Sequence, residues 1–483
     1  MIWVSLVPLG VALYGATAKQ GTWLGGCFGT ILWISQTWGL HITLTHQPGL
    51  PWWVSIIFWL SLCVLAGIPY LVFGLLITRL NWIEKPAGAL RTAFLWVGLT
   101  EWIPSVAPVF PVHTLSQQAV WLQIVHWGGT PTLHLLLVWV NWLIVHSFLR
   151  FKHDYRRLRN HLILIALIPV IIVGWGSYEL YSNKNEPHKE LKIGWVQPNF
   201  TSIPNGQNGV TKDQLQHLLK QSAELIQTDP KIEAVFWPEV PFSLSWVDQV
   251  EQRQQIRQAV VKWQRPLFMV SSTVDNPKVI RGEQFAYYNV AQMIGSSGIV
   301  LASQTKQKLV PLGEYLPGEE SFPFLRDWLP NARRYLPGDE LNLFPGVDGS
   351  LILAAICYDI GFEPILKKAL ESGVRVVWNP VNDGWFPSSM AAWHKALAQF
   401  RSAEMGLPII RVSNSGYSVI ADDRGVMLQT GEWNQSVAKT VTILIPEHAG
   451  PWLHIAEIFR WALLGWVLLD VGLGLLLRRS QED

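Results

Sequence analysis

Four short stretches place reactive side chains directly behind apolar runs. The first is LILAAICYDIGFE, residues 351–363, where seven uncharged residues end in Cys357, followed by Tyr358, Asp359 and Gly361. A nucleophile at the carboxyl end of a strand buried on both faces, with a turn behind it, is presented to a cleft in α/β folds. Read locally, Cys357 is equally a small apolar core residue, because free cysteines are mostly buried and inert. The second stretch is AVFWPEV, where Glu239 follows the run Ala234–Trp237. An acid at that place is either a solvated carboxylate or a base with a raised pKa. The third, QTKQKLVPLGEY, sets Lys306, Lys308 and Glu314 around a short apolar turn; lysines are usually solvated, and only a charge cluster makes them chemical. The fourth, WNPVNDGWFPSS, ends another apolar run in two asparagines, Asp383 and the aromatics Trp385 and Phe386.

The elements that must position these residues read as α/β. Strand-like runs occur at Lys192–Val196, Ala234–Trp237, Leu267–Ser271, Val290–Ile294, Leu351–Cys357, Val374–Trp378, Ile409–Val412, Tyr417–Ile420 and Thr440–Ile445. Helical patterns lie between several of them, among them Thr211–Thr228, with Thr211 and Asp213 as caps, and Ser388–Met405. Leu316–Val347 is rich in proline, glycine and charge and reads as a long mobile loop. No internal repeat, glycine-rich phosphate loop, nucleic-acid signature or zinc spacing is present, and the spacing of the three cysteines suggests no disulfide framework, although two of the three could in principle pair.

The composition sets this polar segment, Asn183–Gly450, in a membrane frame. Of 483 residues, 49% are hydrophobic and only 15% charged, which is wrong for a soluble chain of this length. The 27 tryptophans fit the membrane–water interface. Seven apolar runs read as spans: Ile2–Thr17, Thr22–Leu44, Trp52–Thr78, Ala89–Pro104, Ala119–Leu149 (broken around Gly128–Pro131), His161–Leu180 and Leu453–Leu477. Lys19; Arg79, Lys85 and Arg91; Arg150, Lys152, Arg156, Arg157 and Arg159; and Arg478 and Arg479 follow alternate runs. The loops Thr45–Pro51 and Ser105–Gln118 carry no Lys or Arg. The positive-inside rule then predicts a cytoplasmic C-terminus, an N-terminus outside and a polar segment held against the outer face. No basic region precedes the first run, so a cleaved signal peptide is not expected. The expected domains are a six-span N-terminal membrane domain, 1–182; an extracytoplasmic catalytic domain, 183–450; and a C-terminal transmembrane helix with a short tail, 451–483.

Together the four stretches resemble the nitrilase, or carbon-nitrogen hydrolase, superfamily, and the membrane frame resembles its apolipoprotein N-acyltransferase branch. The acid motif is Trp237-Pro238-Glu239. The lysine motif K-x-H-L-V-P-F-G-E-Y-x-P reads KQKLVPLGEYLP, from Lys306 through Glu314. The nucleophile motif C-Y-E reads Cys357-Tyr358-Asp359. Asn382-Asp383-Gly384-Trp385-Phe386 and Arg411, Asn414 and Gly416 match further motifs, and Thr100-Glu101 matches one in the membrane half. The chain departs from the family at Lys308, usually His, at Asp359, usually Glu, and in its first span, since the family has eight spans with both termini inside.

The resemblance implies a membrane domain of α-helical spans joined to a nitrilase-like four-layer α-β-β-α sandwich. It implies a triad of Glu239, Lys306 and Cys357 working without metal or cofactor. A nearby cation lowers a thiol's pKa and stabilises an oxyanion, the roles expected of Lys306, with the Tyr358 N–H as second donor. Glu239 is expected to shuttle the thiol proton. Glu314 orients Lys306 or Glu239, or holds substrate. Trp237, Asn289, Trp385, Asn414, Tyr358 and Asp359 are supporting or substrate-binding candidates, and Glu101 is a structural hydrogen-bonding group or a substrate contact. The implied reaction is ping-pong: an acyl chain passes from a membrane phospholipid to Cys357, then to the α-amine of an S-diacylglyceryl cysteine on an apolipoprotein. The expected setting is the bacterial inner membrane, with a monomeric enzyme and no nucleic-acid partner. A membrane-tethered amidase with the same triad, and a non-catalytic lipid-binding or transport protein, are the alternatives.

Overall fold

The structure, a computed structural model of the chain, describes residues 2–46, 49–85, 87–102, 110–150, 155–182, 188–200, 212–239, 246, 249–273, 287–329 and 332–482. The cap expected at Thr211, the boundary at Asn183, the run end near Pro104 and Lys152 lie outside them. The chain forms two compact units. One comprises Met1–Thr37, Ile57–Asn185 and Gly450–Asp483; the other comprises Trp38–Ile56 and Glu186–Ala449.

The N-terminal half is helical: α1 (Val7–Leu13), α2 (Ala18–Gln36), α3 (Leu40–His46), α4 (Trp52–Ala66), α5 (Ile68–Leu80), α6 (Gly88–Trp102), α7 (Ala119–Leu122), α8 (Val125–Gly128), α9 (Thr130–Arg150) and α10 (Tyr155–Ser182). Thr17 and Gln20 close a capping box at the start of α2, which satisfies two orphan amides there. The fifth run breaks where expected, at Gly128 and Gly129. Two runs differ from expectation. The first is shorter than the run Ile2–Thr17, a 3-10 turn, Ile2–Val4, followed by the seven-residue α1. The second stops early, at Gln36, because Gly39 takes φ +90° and redirects the chain into α3. Among the described residues, three helical stretches are long and apolar enough to cross a membrane: Trp52–Leu80, Thr130–Leu149 and Tyr155–Ser182.

Glycines set the crossing of α2 and α5. Gly21, Gly25 and Gly29 recur every four residues on one face of α2 and are buried against α5. A Cβ on Gly25 would stand 2.0 Å from the carbonyl oxygen of Tyr70, and one on Gly74 would stand 2.0 Å from that of Gly21. The backbones touch, as in small-xxx-small packing of membrane helices.

The second unit holds two six-stranded sheets. Its strands are β1 (His188–Gln197), β2 (Ala234–Phe236), β3 (Leu267–Thr273), β4 (Tyr288–Ile294), β5 (Val300–Thr305), β6 (Phe344–Pro345), β7 (Leu351–Ala354), β8 (Val376–Val381), β9 (Ile409–Ser413), β10 (Ser418–Ala421), β11 (Met427–Gly431) and β12 (Val437–Pro446). The sheet orders are β12-β1-β2-β3-β4-β5 and β11-β10-β9-β8-β7-β6. Each has a parallel trio at its centre, β1-β2-β3 in one and β7-β8-β9 in the other, flanked by antiparallel strands. Parallel strands buried on both faces explain the uninterrupted apolar runs. Side chains of both sheets share one core, in which Phe236 stacks on Phe268 at 4.3 Å and Trp378 meets both edge-on. Helices α11 (Lys212–Thr228) and α12 (Val250–Trp263) cover the other face of the first sheet through Leu215, Leu218, Ile256 and Val260. The remaining helices are α13 (Leu325–Trp328), α14 (Glu363–Glu371), α15 (Ser388–Met405), which packs on β9 and β10, and α16 (Trp452–Glu482) of the first unit.

Residues 38–56, read from sequence as part of the membrane domain, group with the sheets. Leu50 packs on a cluster of Leu316, Leu329 and Ala332, and Thr43 Oγ1 donates to the Trp385 carbonyl at 2.7 Å. That cluster lies in the stretch expected to be a mobile loop. Glu319 also pairs there with Arg326 and with Arg334. The segment therefore has a small core and an ion-pair knot of its own.

Replacing Gly25 by leucine forces α2 off α5. Overpacking costs roughly 1–3 kcal/mol or more, so the detergent-solubilised Gly25→Leu protein should unfold several degrees below wild type, while Gly174→Leu, with open space around it, should not.

Candidate active site

The chemistry-bearing residues gather where strands end. Glu239 lies just past β2, Lys306 directly after β5, Cys357 just past β7, Asn382 and Asp383 after β8, and Asn414 after β9. This is the carboxyl edge at which α/β folds place ligands. Strand β7 stops at Ala354, three residues before the sequence pattern suggested, and Cys357 opens a 3-10 turn, Cys357–Gly361, at φ +48°. A left-handed conformation is rare for a residue with a Cβ and marks a held, strained turn.

A cavity of about 120 Å³ contains Cys357, Lys306, Glu239, Glu314, Asn289 and Trp385; Leu40, Thr43 and Leu44 of the 38–56 segment form one wall. Lys306 is 1% exposed. Its Nζ donates to Glu314 Oε1 at 2.7 Å and to Glu239 Oε1 at 3.4 Å. Asn289 Nδ2 donates to the same Glu239 oxygen at 2.7 Å, and Glu314 Oε2 accepts the Val310 N–H at 2.8 Å. Burial opposes the Lys306 charge, but Glu239 and Glu314, with Cys357 and Asp359 behind them, hold its pKa well above the ordinary value.

The thiol behaves differently from the expectation that a cation would ionise it. Burial first, then the Glu239 charge, push the Cys357 pKa well up, and Lys306 offsets only part of this. The raised pKa favours the neutral thiol at Cys357. A base must remove its proton when it reacts.

Asp359 sits behind Cys357 and fastens two loops. Its Oδ1 accepts the Lys308 N–H at 2.7 Å, and its Oδ2 accepts the N–H groups of Ile356 at 3.2 Å and Gln307 at 3.4 Å. A carboxylate shorter than the family's therefore still ties the Lys306 loop to the Cys357 turn. Burial raises its pKa to about 7 against the pull of Lys306 and the backbone donors.

A second network holds the Cys357 carbonyl. Asn379 Nδ2 donates to it at 3.3 Å, and His394 Nε2 lies 3.2 Å away. His394 Nδ1 meets Asp383 Oδ1 at 3.0 Å, and Arg411 binds Asp383 Oδ2 at 2.5 Å and Asn379 Oδ1 at 2.7 Å. Burial opposes the charge of Asp383, yet Arg411 and His394 keep its carboxyl below the usual range. Sequence reasoning named Asp383 and Arg411 but passed over His394; its position in the helix that follows the Asp383 turn was the available signal.

Other expected residues fall elsewhere. Trp237 is buried among the α11 contacts and donates to Ser222 Oγ at 2.9 Å, so it buttresses Glu239 from behind its strand without lining the cavity. Asn414 bonds both the N–H and the carbonyl of Phe200, at 3.0 and 2.8 Å, and acts within the scaffold. Glu101 belongs to the first unit, where it pairs with Arg460 of α16 at 3.6 Å. The Tyr358 ring packs edge-on against Phe362 at 4.8 Å. Among the described residues, no group of acids, histidines and cysteines has the arrangement of a metal site.

The sequence model of the carbon-nitrogen hydrolase family matches residues 192–446, and that of the apolipoprotein N-acyltransferase N-terminal domain matches residues 1–143. The chain belongs to the carbon-nitrogen hydrolase family, in its apolipoprotein N-acyltransferase branch. An apolipoprotein N-acyltransferase of Allorhizobium ampelinum is 28% identical over 84% of this chain and 76% of its own length. One from Gloeobacter violaceus is 25% identical over 90% of this chain and 82% of its own length. Among solved structures, Saccharomyces cerevisiae Nit3, a member of branch 10 of the nitrilase superfamily, is 16% identical with a TM-score of 0.40, covering 57% of this chain and 94% of that chain.

The raised Asp359 pKa links stability to pH. The folded state holds this proton up to about 7, whereas an unperturbed Asp releases it near 3.8, so the contribution is full below 3.8 and is lost as pH rises through 7. The stability margin of wild type over Asp359→Asn should therefore narrow by about 2–3 kcal/mol between roughly pH 5 and pH 8, read from denaturation midpoints at each pH.

Proposed function

We propose that the chain acylates lipoproteins by a ping-pong mechanism with Glu239, Lys306 and Cys357 as its catalytic residues. The observation that carries this reading is the buried Lys306 ammonium held between Glu239 and Glu314 in the cavity that contains Cys357. Lipoprotein N-acylation is the activity of the family branch to which the chain belongs. The donor is a membrane phospholipid and the acceptor the α-amine of an S-diacylglyceryl cysteine at a lipoprotein's N-terminus.

In the first half, Glu239 takes the Cys357 proton as the sulfur attacks the donor's ester carbon. The carbonyl oxygen becomes an oxyanion facing Lys306 and the Tyr358 N–H. The carbon–oxygen bond then breaks, Glu239 returns the proton to the departing alkoxide, and a lysophospholipid leaves behind a thioester. In the second half, the lipoprotein amine attacks the thioester carbon and gives its proton to Glu239; the carbon–sulfur bond breaks and the proton passes to the Cys357 thiolate. The product is an amide. Glu314 stays hydrogen-bonded to Lys306 throughout.

The same reading sets the architecture: a four-layer α-β-β-α catalytic domain carried between membrane helices, in a monomer. Arg156, Arg157 and Arg159 at the start of α10 and Arg478 and Arg479 near the end of α16 mark the cytoplasmic side. The catalytic domain between these two helices then lies outside the cytoplasmic membrane, where the outer leaflet supplies both lipid substrates. The domain limits 1–182, 183–450 and 451–483, with residues 38–56 of the first grouped with the sheets, and the seven-span count with an outside N-terminus belong to this reading.

Two measurements test it. Incubation with a radiolabelled phospholipid should leave a hydroxylamine-sensitive acyl group on Cys357. Cys357→Ala should abolish it and Cys63→Ala should not; a Cys357→Ala protein that still acylates a diacylglyceryl peptide would sink the mechanism. Glu239→Gln separates base from charge. Removing that carboxylate lowers the Cys357 pKa, so iodoacetamide should alkylate the variant faster than wild type near neutral pH. Acylation by phospholipid should nevertheless fall by a factor on the order of 100 or more, as loss of a general base predicts.

A further inference from the structure

Arg333 is a cation in the cavity that the triad leaves unused. It lines the same cavity as Cys357 and is half-buried. Its guanidinium lies 5.1 Å from the centre of the Trp385 ring and 5.9 Å from that of Tyr335. The nearby Arg326 and Arg334 both pair with Glu319, yet among the described residues no carboxylate pairs with Arg333. Lys306, the other cation of the cavity, is already taken by Glu239 and Glu314.

The rings that hold Arg333 are themselves fixed. Tyr335 donates its N–H to the Glu314 carbonyl at 2.9 Å and shares a 3.2 Å hydrogen bond between its hydroxyl and Ser272. The Trp385 carbonyl is held by Thr43. Contact with aromatic faces engages the flat side of a guanidinium and leaves the N–H groups at its edge free to donate. Such an edge fits two oxygens of a phosphate in a fork.

We propose that Arg333 binds the phosphodiester of the acyl donor, a subsite that places a glycerophospholipid ester over Cys357. The inference rests on the thioester reading above. The first substrate carries a phosphate next to its glycerol esters, and the lipoprotein acceptor carries none. Arg333 therefore serves the first half-reaction and is idle in the second. It also discriminates against neutral glycerides, which offer the same esters without the anion.

The test compares two donors on the full-length enzyme in detergent micelles. One is a dipalmitoyl phospholipid; the other is p-nitrophenyl palmitate, which has no phosphate. The readout is the rate of acyl-Cys357 formation. Arg333→Ala should slow acylation from the phospholipid by about 10- to 100-fold, the range for loss of a charge-assisted hydrogen-bonded contact, and change the rate from p-nitrophenyl palmitate by less than about twofold. Arg333→Lys should fall between, since it keeps the charge and loses the planar fork. Aminolysis of preformed acyl-enzyme by a diacylglyceryl peptide should match wild type. Equal losses on both donors would show that Arg333 only supports the cavity, and no loss on either would show that the phosphate sits elsewhere; both overturn the proposal. Wild-type enzyme that formed no acyl-Cys357 from either donor would instead refute the thioester reading, before any variant is compared.

Discussion

A buried ammonium is the constraint on which the rest of this site depends. Lys306 is almost wholly enclosed, and an isolated charge there would cost several kcal/mol after relaxation. Two carboxylates offset that cost, and each is fixed in turn: Glu314 by the Val310 N–H, Glu239 by Asn289. The loop from Lys306 to Glu314 is therefore shaped by the need to fold a carboxylate back onto its own lysine. Asp359 fastens that loop to the Cys357 turn through the Lys308 and Gln307 amides. Removing Lys306 would leave two buried carboxylates without their shared cation, so the ammonium and the two acids depend on one another.

The two carboxylates are not equivalent, and the difference fits the chemistry proposed. Lys306 is 2.7 Å from Glu314 and 3.4 Å from Glu239. When the thiol proton moves to Glu239, one negative charge leaves the neighbourhood of Lys306 and another grows on the sulfur and then on the oxyanion. The charge around the ammonium stays constant while its location shifts toward the reacting atoms. A fixed cation then favours the transition state without reorganising. The raised Cys357 pKa belongs to the same balance: a pre-formed thiolate would put a third anion beside Lys306 in the resting state.

Much of this was legible in sequence because parallel strands announce themselves. An apolar run ending abruptly in a polar residue marks a strand's carboxyl edge, and Glu239, Cys357 and Asp383 were all found that way. Strand β5 was missed because its apolar part, Val300–Ala302, is short and gives way to Ser303, Gln304 and Thr305, so Lys306 had to be placed by motif alone. His394 and Arg333 were missed for a different reason. Each gains its role from residues distant in the chain: His394 from the Cys357 carbonyl, Arg333 from Trp385. The 38–56 segment was misplaced because hydropathy cannot distinguish a helix in lipid from one whose leucines cover a cavity. Gly39, with its positive φ, was the local signal that the second run ends before Leu44.

The size of the cavity adds a last constraint. Its volume is about 120 Å³. In the reading proposed above, the cavity receives the ester and its tetrahedral centre, and the rest of the acyl chain extends past the rim. Part of that rim is apolar, with Leu40 and Leu44 facing the site. Energetically, a chain that stays in an apolar medium need not be desolvated afresh when its ester enters, so binding energy is left for orienting the carbonyl. A site built this way grips the polar end of a lipid and leaves the hydrocarbon to its surroundings, which is why the charged groups inside must carry the recognition.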